Sequence, residues 1–195
     1  MDPIAAQLIA RLQSDPSDRD AYDALKAHYA HSGDLASLAN LLEGWAETNA
    51  SDWQAASEAY AEAADAVLHS SNDRPRAKAL YNKALGLNPL QPHAAGALRA
   101  LLEAGSDFGE LAEFLDAYAR GLEANGGAVA DIAAAYRRLG EIWQDVFELP
   151  DVARDYLARA AQLEGGGVPA AEGGAAVDPE AQPTMRPEQA SQIAA

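Results

Sequence analysis

His28 and His31 stand three residues apart, with Asp34 three further on, a spacing that brings both imidazoles to one face of a helix. Imidazoles so placed can ligate a transition metal. A catalytic zinc site, however, takes three protein ligands, usually with a spaced third histidine or carboxylate. Nothing in the sequence singles out that third ligand, so His28, His31, His69 and His93 are read as surface histidines and no metal is assigned. Carboxylates recur at helical spacing too, as in Glu43 and Glu47, Glu58 and Glu62, or Glu110 and Glu113. Such pairs arise automatically when an acidic chain is helical, whereas an acid–base pair needs surroundings that separate the two pKa values. There is no GxxxxGK[ST] loop, no GxGxxG after a strand and no GxSxG elbow. Neither catalysis nor a cofactor is expected.

Cations form two groups. Arg74, Arg76, Lys78 and Lys83 fall close together, as do Arg137, Arg138, Arg154 and Arg159. They are set in a strongly acidic background of 30 Asp and Glu against 14 Lys and Arg. A general electrostatic grip on nucleic acid or an anionic membrane is therefore not expected. Basic groups on an acidic body suit either a solvated helix face or the recognition of an acidic peptide. The chain has no cysteine, which removes thiolate catalysis and disulfides and fits a reducing, cytoplasmic setting. The N-terminal residues show no basic leader and no long apolar run, so no membrane insertion is expected.

The elements that must position these residues are helices. Apolar residues recur every three or four positions in "YDALKAHY", "LASLANLLEGWA" and "IAAAYRRLGEIW", a period of 3.6 and not of 2. Breaks at "HSGD", "NASD", "SSNDRPR", "NPLQP", "AGSD", "NGG" and "ELPD" carry turn chemistry, with Asp or Ser placed to cap the next helix. Asp2 and Pro3 start a further helix, in which Ile4, Leu8 and Leu12 share a face able to cover the first unit. From Gly165 onward the chain is rich in Ala, Gly and Pro with no aromatic, and residues 165–195 are read as a disordered tail or linker. Whether "TMRPEQASQIAA" is a linear motif, a linker or inert is open.

The helical part repeats. Tyr22, Tyr60, Ala95 and Tyr136 start four units, followed three residues later by Leu25, Ala63, Leu98 and Leu139. Further on, Ala39, Ala77, Ala112 and Ala153 form one column, and Ala46, Ala84, Ala119 and Ala160 another. Leu42, Leu80, Leu115 and Tyr156 stand between those alanines. Two alanines seven apart lie on one face of a helix, where a partner can approach closely. One hairpin cannot cover its own apolar face, so several must stack.

"YNKALGLNP", with Ala77 just before it and Tyr81, Ala84 and Pro89 within it, resembles the second helix of a tetratricopeptide repeat. "YRRLGEIW", through Tyr136, Leu139, Gly140 and Trp143, resembles its first helix. The likeness covers roughly residues 17–164. The family's small first-helix position is occupied by Lys26 in unit one and Arg99 in unit three. Units one and three resemble each other better, as if a double unit of 73 to 76 residues were present twice.

The reading is thus an all-α chain: an α-solenoid of about four helix-turn-helix hairpins with an N-terminal capping helix. The repeat domain is expected over 1–164, with units at about 17–51, 52–89, 91–125 and 128–164. The resemblance implies a non-catalytic scaffold or adaptor that takes a partner peptide or helix along a groove lined by first helices. Lys26, Arg99, Arg137 and Arg138 lie on first helices and are assigned to partner binding. Arg76, Lys78 and Lys83 lie on a second helix, and the repeat gives them no role. The alternative is a structural module that self-associates or tethers, or, less favoured, a regulatory domain of an enzyme complex.

Overall fold

A computed structural model describes residues 2–165; the rest of the expected tail lies outside the described residues. Nine helices and no strand occur among them: α1 (Pro3–Ser14), α2 (Arg19–Ser32), α3 (Leu35–Thr48), α4 (Trp53–Ser71), α5 (Arg74–Leu87), α6 (Pro92–Gly105), α7 (Phe108–Ala124), α8 (Val129–Asp145) and α9 (Pro150–Glu164).

Their starts follow from local chemistry. The carboxylates of Asp2, Asp18, Asp34, Asp52 and Asp73 each accept a backbone N–H from the first turn of the helix they precede. The Gln91 side chain does the same for α6. Each such cap contributes roughly 1 kcal/mol. Three starts differ. Asp107 holds the capping position of α7 without a side-chain bond, while α8 and α9 are preceded by Ala128 and Leu149. There Asp131 and Asp151 sit inside the first turn and act on the helix dipole instead. Helix α2 ends at Gly33, whose φ of 72° is the left-handed cap that glycine adopts without strain.

The repeat columns form the core. All eight alanines of the two second-helix columns are at most 5% exposed. Leu25, Leu98 and Leu139, on the first helices, are at most 2% exposed. Helix α4 is buried on several sides, and six of its nine buried residues are alanine: Ala56, Ala59, Ala61, Ala63, Ala64 and Ala66. Methyl groups there let α3 and α5 close on it from both flanks. Ser57, fully buried among them, donates its hydroxyl to the Ala84 carbonyl at 2.9 Å and ties α4 to α5.

Helix α1 packs on α2, and of the three residues expected to share its packing face Ile4 departs. Ala5 is its buried residue, Leu8, Ile9 and Leu12 are half-buried, and Ile4 is 61% exposed.

Tight and open hairpins alternate. In units two and four the small first-helix position is Ala64 and Gly140, both buried, and α4–α5 and α8–α9 pack extensively. A Cβ on Gly140 would come within 2.7 Å of Leu157. In units one and three the same position carries Lys26 and Arg99, and α2–α3 and α6–α7 touch sparsely. A long cation cannot be buried at the hairpin seam, so those hairpins stay splayed.

Candidate interaction groove

Each splayed hairpin holds a cleft. The cleft of unit one, about 260 Å³, is lined by Leu25, Leu41 and Trp45 and is covered by Ile9 and Leu12 of α1. The cleft of unit three, about 200 Å³, has α6 and α8 as its walls and α7 as its floor. Ala95, Gly96 and Arg99 come from α6, Phe114 and Tyr118 from α7, and Asp131 from α8. The two rings of the floor stack, with centroids 5.6 Å apart. They lie one turn apart on α7, so the helix itself sets the stack.

The four cations assigned to partner binding are not gathered at one place. Lys26 reaches from α2 to Glu62 on α4 at 2.5 Å. Arg138 reaches from α8 to Glu103 on α6 at 3.1 Å and also meets Glu141 at 3.1 Å. Arg137 turns the other way, to Glu164 at the end of α9. Arg99 is exposed, lines the unit-three cleft, and joins no ion pair among the described residues. Three of the four are therefore already engaged, and Arg99 is the one that faces a cavity.

Ion pairs between neighbouring units run along both faces of the array. First helices are bridged by the pairs Lys26–Glu62 and Arg138–Glu103, and a hydrogen bond of 2.7 Å joins His93 to Asp65. Second helices are bridged by Arg76 and Lys83 to Glu43, by Lys83 to Glu47, by Lys78 to Glu110, and by Arg159 to Glu123. The basic residues of α5 thus stitch unit two to the units on either side. Isolated surface pairs stabilise by only about 0–1 kcal/mol each. His28 faces Asp2 at 3.3 Å, and no three metal-ligating side chains gather among the described residues.

The protonation chemistry of the cleft is quiet near neutrality. Burial, and then the charge of Asp131, push the Tyr118 phenol above its ordinary value, while Arg99 pulls it back. A neutral phenol, a guanidinium and an exposed carboxylate around an aromatic floor can bind polar and aromatic groups together. Phe114, Gly96 and Asp131 were not among the residues expected to bind. The available signal was Ala95, which stands in a column that is tyrosine in the other three units.

No family model matches the chain, and no curated protein does. Among solved structures, a crystal structure of MamA is similar at 20% identity and a TM-score of 0.47, over 83% of this chain and 87% of that one. A second crystal structure of MamA protein is similar at 18% identity and the same TM-score, over 83% of this chain and 81% of that one. No helix among the described residues is long and apolar enough to cross a membrane.

Proposed function

We propose that the chain is a tetratricopeptide-like solenoid acting as a non-catalytic scaffold, which takes a peptide or helix of a partner protein on its first-helix face. The observation that carries this reading is the unit-three cleft, where an exposed Arg99 overlooks a stacked Phe114–Tyr118 floor. The cleft is held by helices on three sides, so binding loses little freedom in the receptor, and shape with a few charge-assisted contacts suffices.

The test places one bulky cation on each face. Gly96 lines the cleft, and a Cβ there meets nothing within 4 Å, so Gly96→Arg blocks the cleft without disturbing the helix. Ala79 is exposed on the second helix α5, and Ala79→Arg serves as the outer-face control. Partner retention on the immobilised full chain is expected to fall with Gly96→Arg and to persist with Ala79→Arg. Equal retention by both variants would contradict the reading.

A further inference from the structure

The four units can be compared position by position at the contact between first and second helix. In unit one Tyr22 stacks on Trp45 with ring centroids 4.2 Å apart, and Arg19 lies over both rings. In unit two Tyr60 occupies the same position and the Lys83 ammonium sits 5.2 Å from its ring centre. In unit four the position is Tyr136, whose ring lies 6.2 Å from that of Tyr156. In unit three the position is Ala95, opposite Tyr118, which is the equivalent of Trp45. Three units fill this space with a phenol ring from their own chain. Unit three has a methyl group there, at the edge of its cleft.

The charges differ in the same way. Lys26 of unit one faces Glu62 of unit two. The residues at those two positions in units three and four are Arg99 and Arg138. A cation–anion pair has become two cations. Arg138 is neutralised by Glu103 and Glu141, which leaves Arg99 without the carboxylate its counterpart has. What unit three lacks, relative to unit one, is one aromatic ring and a carboxylate paired with its first-helix cation, since Asp131 stands on the opposite wall and forms no ion pair with Arg99.

We infer that the α6–α8 cleft receives a segment of a partner protein carrying an aromatic side chain beside an acidic one, the ring entering over Phe114 and Tyr118 where Tyr22 lies in unit one and the carboxylate meeting Arg99. The inference rests on the scaffold reading and adds the chemistry of the partner. Asp131 on the opposite wall accepts a hydrogen bond from a phenol hydroxyl or a peptide N–H of the incoming segment. The occupant is a peptide and not a free aromatic acid, because the cleft is a trough open to solvent: Gly96 and Arg99 on one wall and Asp131 on the other are all exposed.

The experiment is calorimetric titration of the full chain with short capped peptides of glycine around one tyrosine and two aspartates. Companion peptides replace the tyrosine by alanine or the aspartates by asparagine, and 3-(4-hydroxyphenyl)propionate serves as the free acid. The parent peptide is expected to bind roughly tenfold more tightly than either companion, a difference of about 1.4 kcal/mol. Ala95→Tyr should restore the internal ring and remove the tyrosine preference. Arg99→Gln should remove the aspartate preference and leave the tyrosine preference in place, the signature of a coupled pair. Should Ala95→Tyr fail to fold, Gly96→Arg provides the same block from open space. Equal affinity for all three peptides, preferences unmoved by these variants, or tight binding of the free acid alone would overturn the proposal. Partner retention that is still lost with Gly96→Arg would then leave the scaffold reading standing, whereas retention by Gly96→Arg would remove both.

Discussion

Replacing glycine by alanine at two first-helix positions should change stability with opposite signs, and that contrast tests the alternation of open and tight hairpins. In a helix interior the exchange by itself stabilises by about 1 kcal/mol, because alanine has less backbone freedom to lose. At Gly96 the new methyl meets nothing within 4 Å, so the whole gain is realised. For an array of this size that corresponds to a melting temperature higher by about 2–4 °C. At Gly140 the same methyl would lie 2.7 Å from Leu157 Cγ, 2.8 Å from its Cδ2 and 3.3 Å from the Ala153 carbonyl oxygen. Leu157 can turn, but the carbonyl belongs to the backbone of α9. Overpacking of this kind costs about 1–3 kcal/mol, so after the propensity gain Gly140→Ala should lose about 0–2 kcal/mol. Thermal denaturation of the full chain followed by circular dichroism at 222 nm measures both. An equal rise in melting temperature for the two variants would show that α8–α9 is no tighter than α6–α7, and the explanation of the cleft would fail with it.

Other outcomes follow from the same geometry. Ala84→Leu, at a fully buried site beside the Ser57 hydroxyl, should lower stability by about 1–3 kcal/mol, while Ala79→Leu on the exposed face of the same helix should stay within about 0.5 kcal/mol of the parent in urea titration. Burial would raise the Glu43 carboxyl, but hydrogen bonds from Arg76 and Lys83 outweigh it and hold the group below its ordinary range. Its stabilisation is present above the unfolded carboxylate range and lost as pH falls through the lowered value, so Glu43→Gln should flatten the acid limb of the urea midpoint. Burial, reinforced by the charge of Glu123, pushes the Tyr136 phenol up to about 12. That contribution is complete below the ordinary phenol value of about 10 and is lost as pH rises towards the raised one, so Tyr136→Phe should flatten the alkaline limb. Helix α6 packs thinly on both α5 and α7, and its amides should exchange with deuterium faster than those of α4 and α8.

Much of this architecture is legible in the residues alone, and the illegible part has physical causes. Ala39, Ala77, Ala112 and Ala153 announce the seam because a close helix approach admits only a methyl group. Asp18, Asp34, Asp52 and Asp73 mark helix starts because a cap acts within three residues. The starts at Val129 and Pro150 carry no side-chain cap; the breaks "NGG" and "ELPD" mark them, and Asp151 lies inside the first turn and not at the capping position where a local reading puts it. Pairs such as Arg76–Glu43 and Arg138–Glu103 join residues 33 and 35 positions apart, on different units. They become visible only once the register of the stack is known. That is why Lys26 and Arg138 look as available for a partner as Arg99. The cleft is an intermediate case: Lys26 and Arg99 at the small position, and Ala95 in a tyrosine column, are all in the sequence, but their joint effect needs the second helix opposite them.

The most direct test is site-specific photo-crosslinking with a benzophenone side chain placed in the full chain at position 96 or at position 79. Both sites are exposed, and they lie on a first and a second helix respectively. If the array works by presenting its first-helix face, irradiation with the partner present yields an adduct from position 96 and none from position 79. An adduct from position 79 alone, or equal adducts from both, would contradict the account.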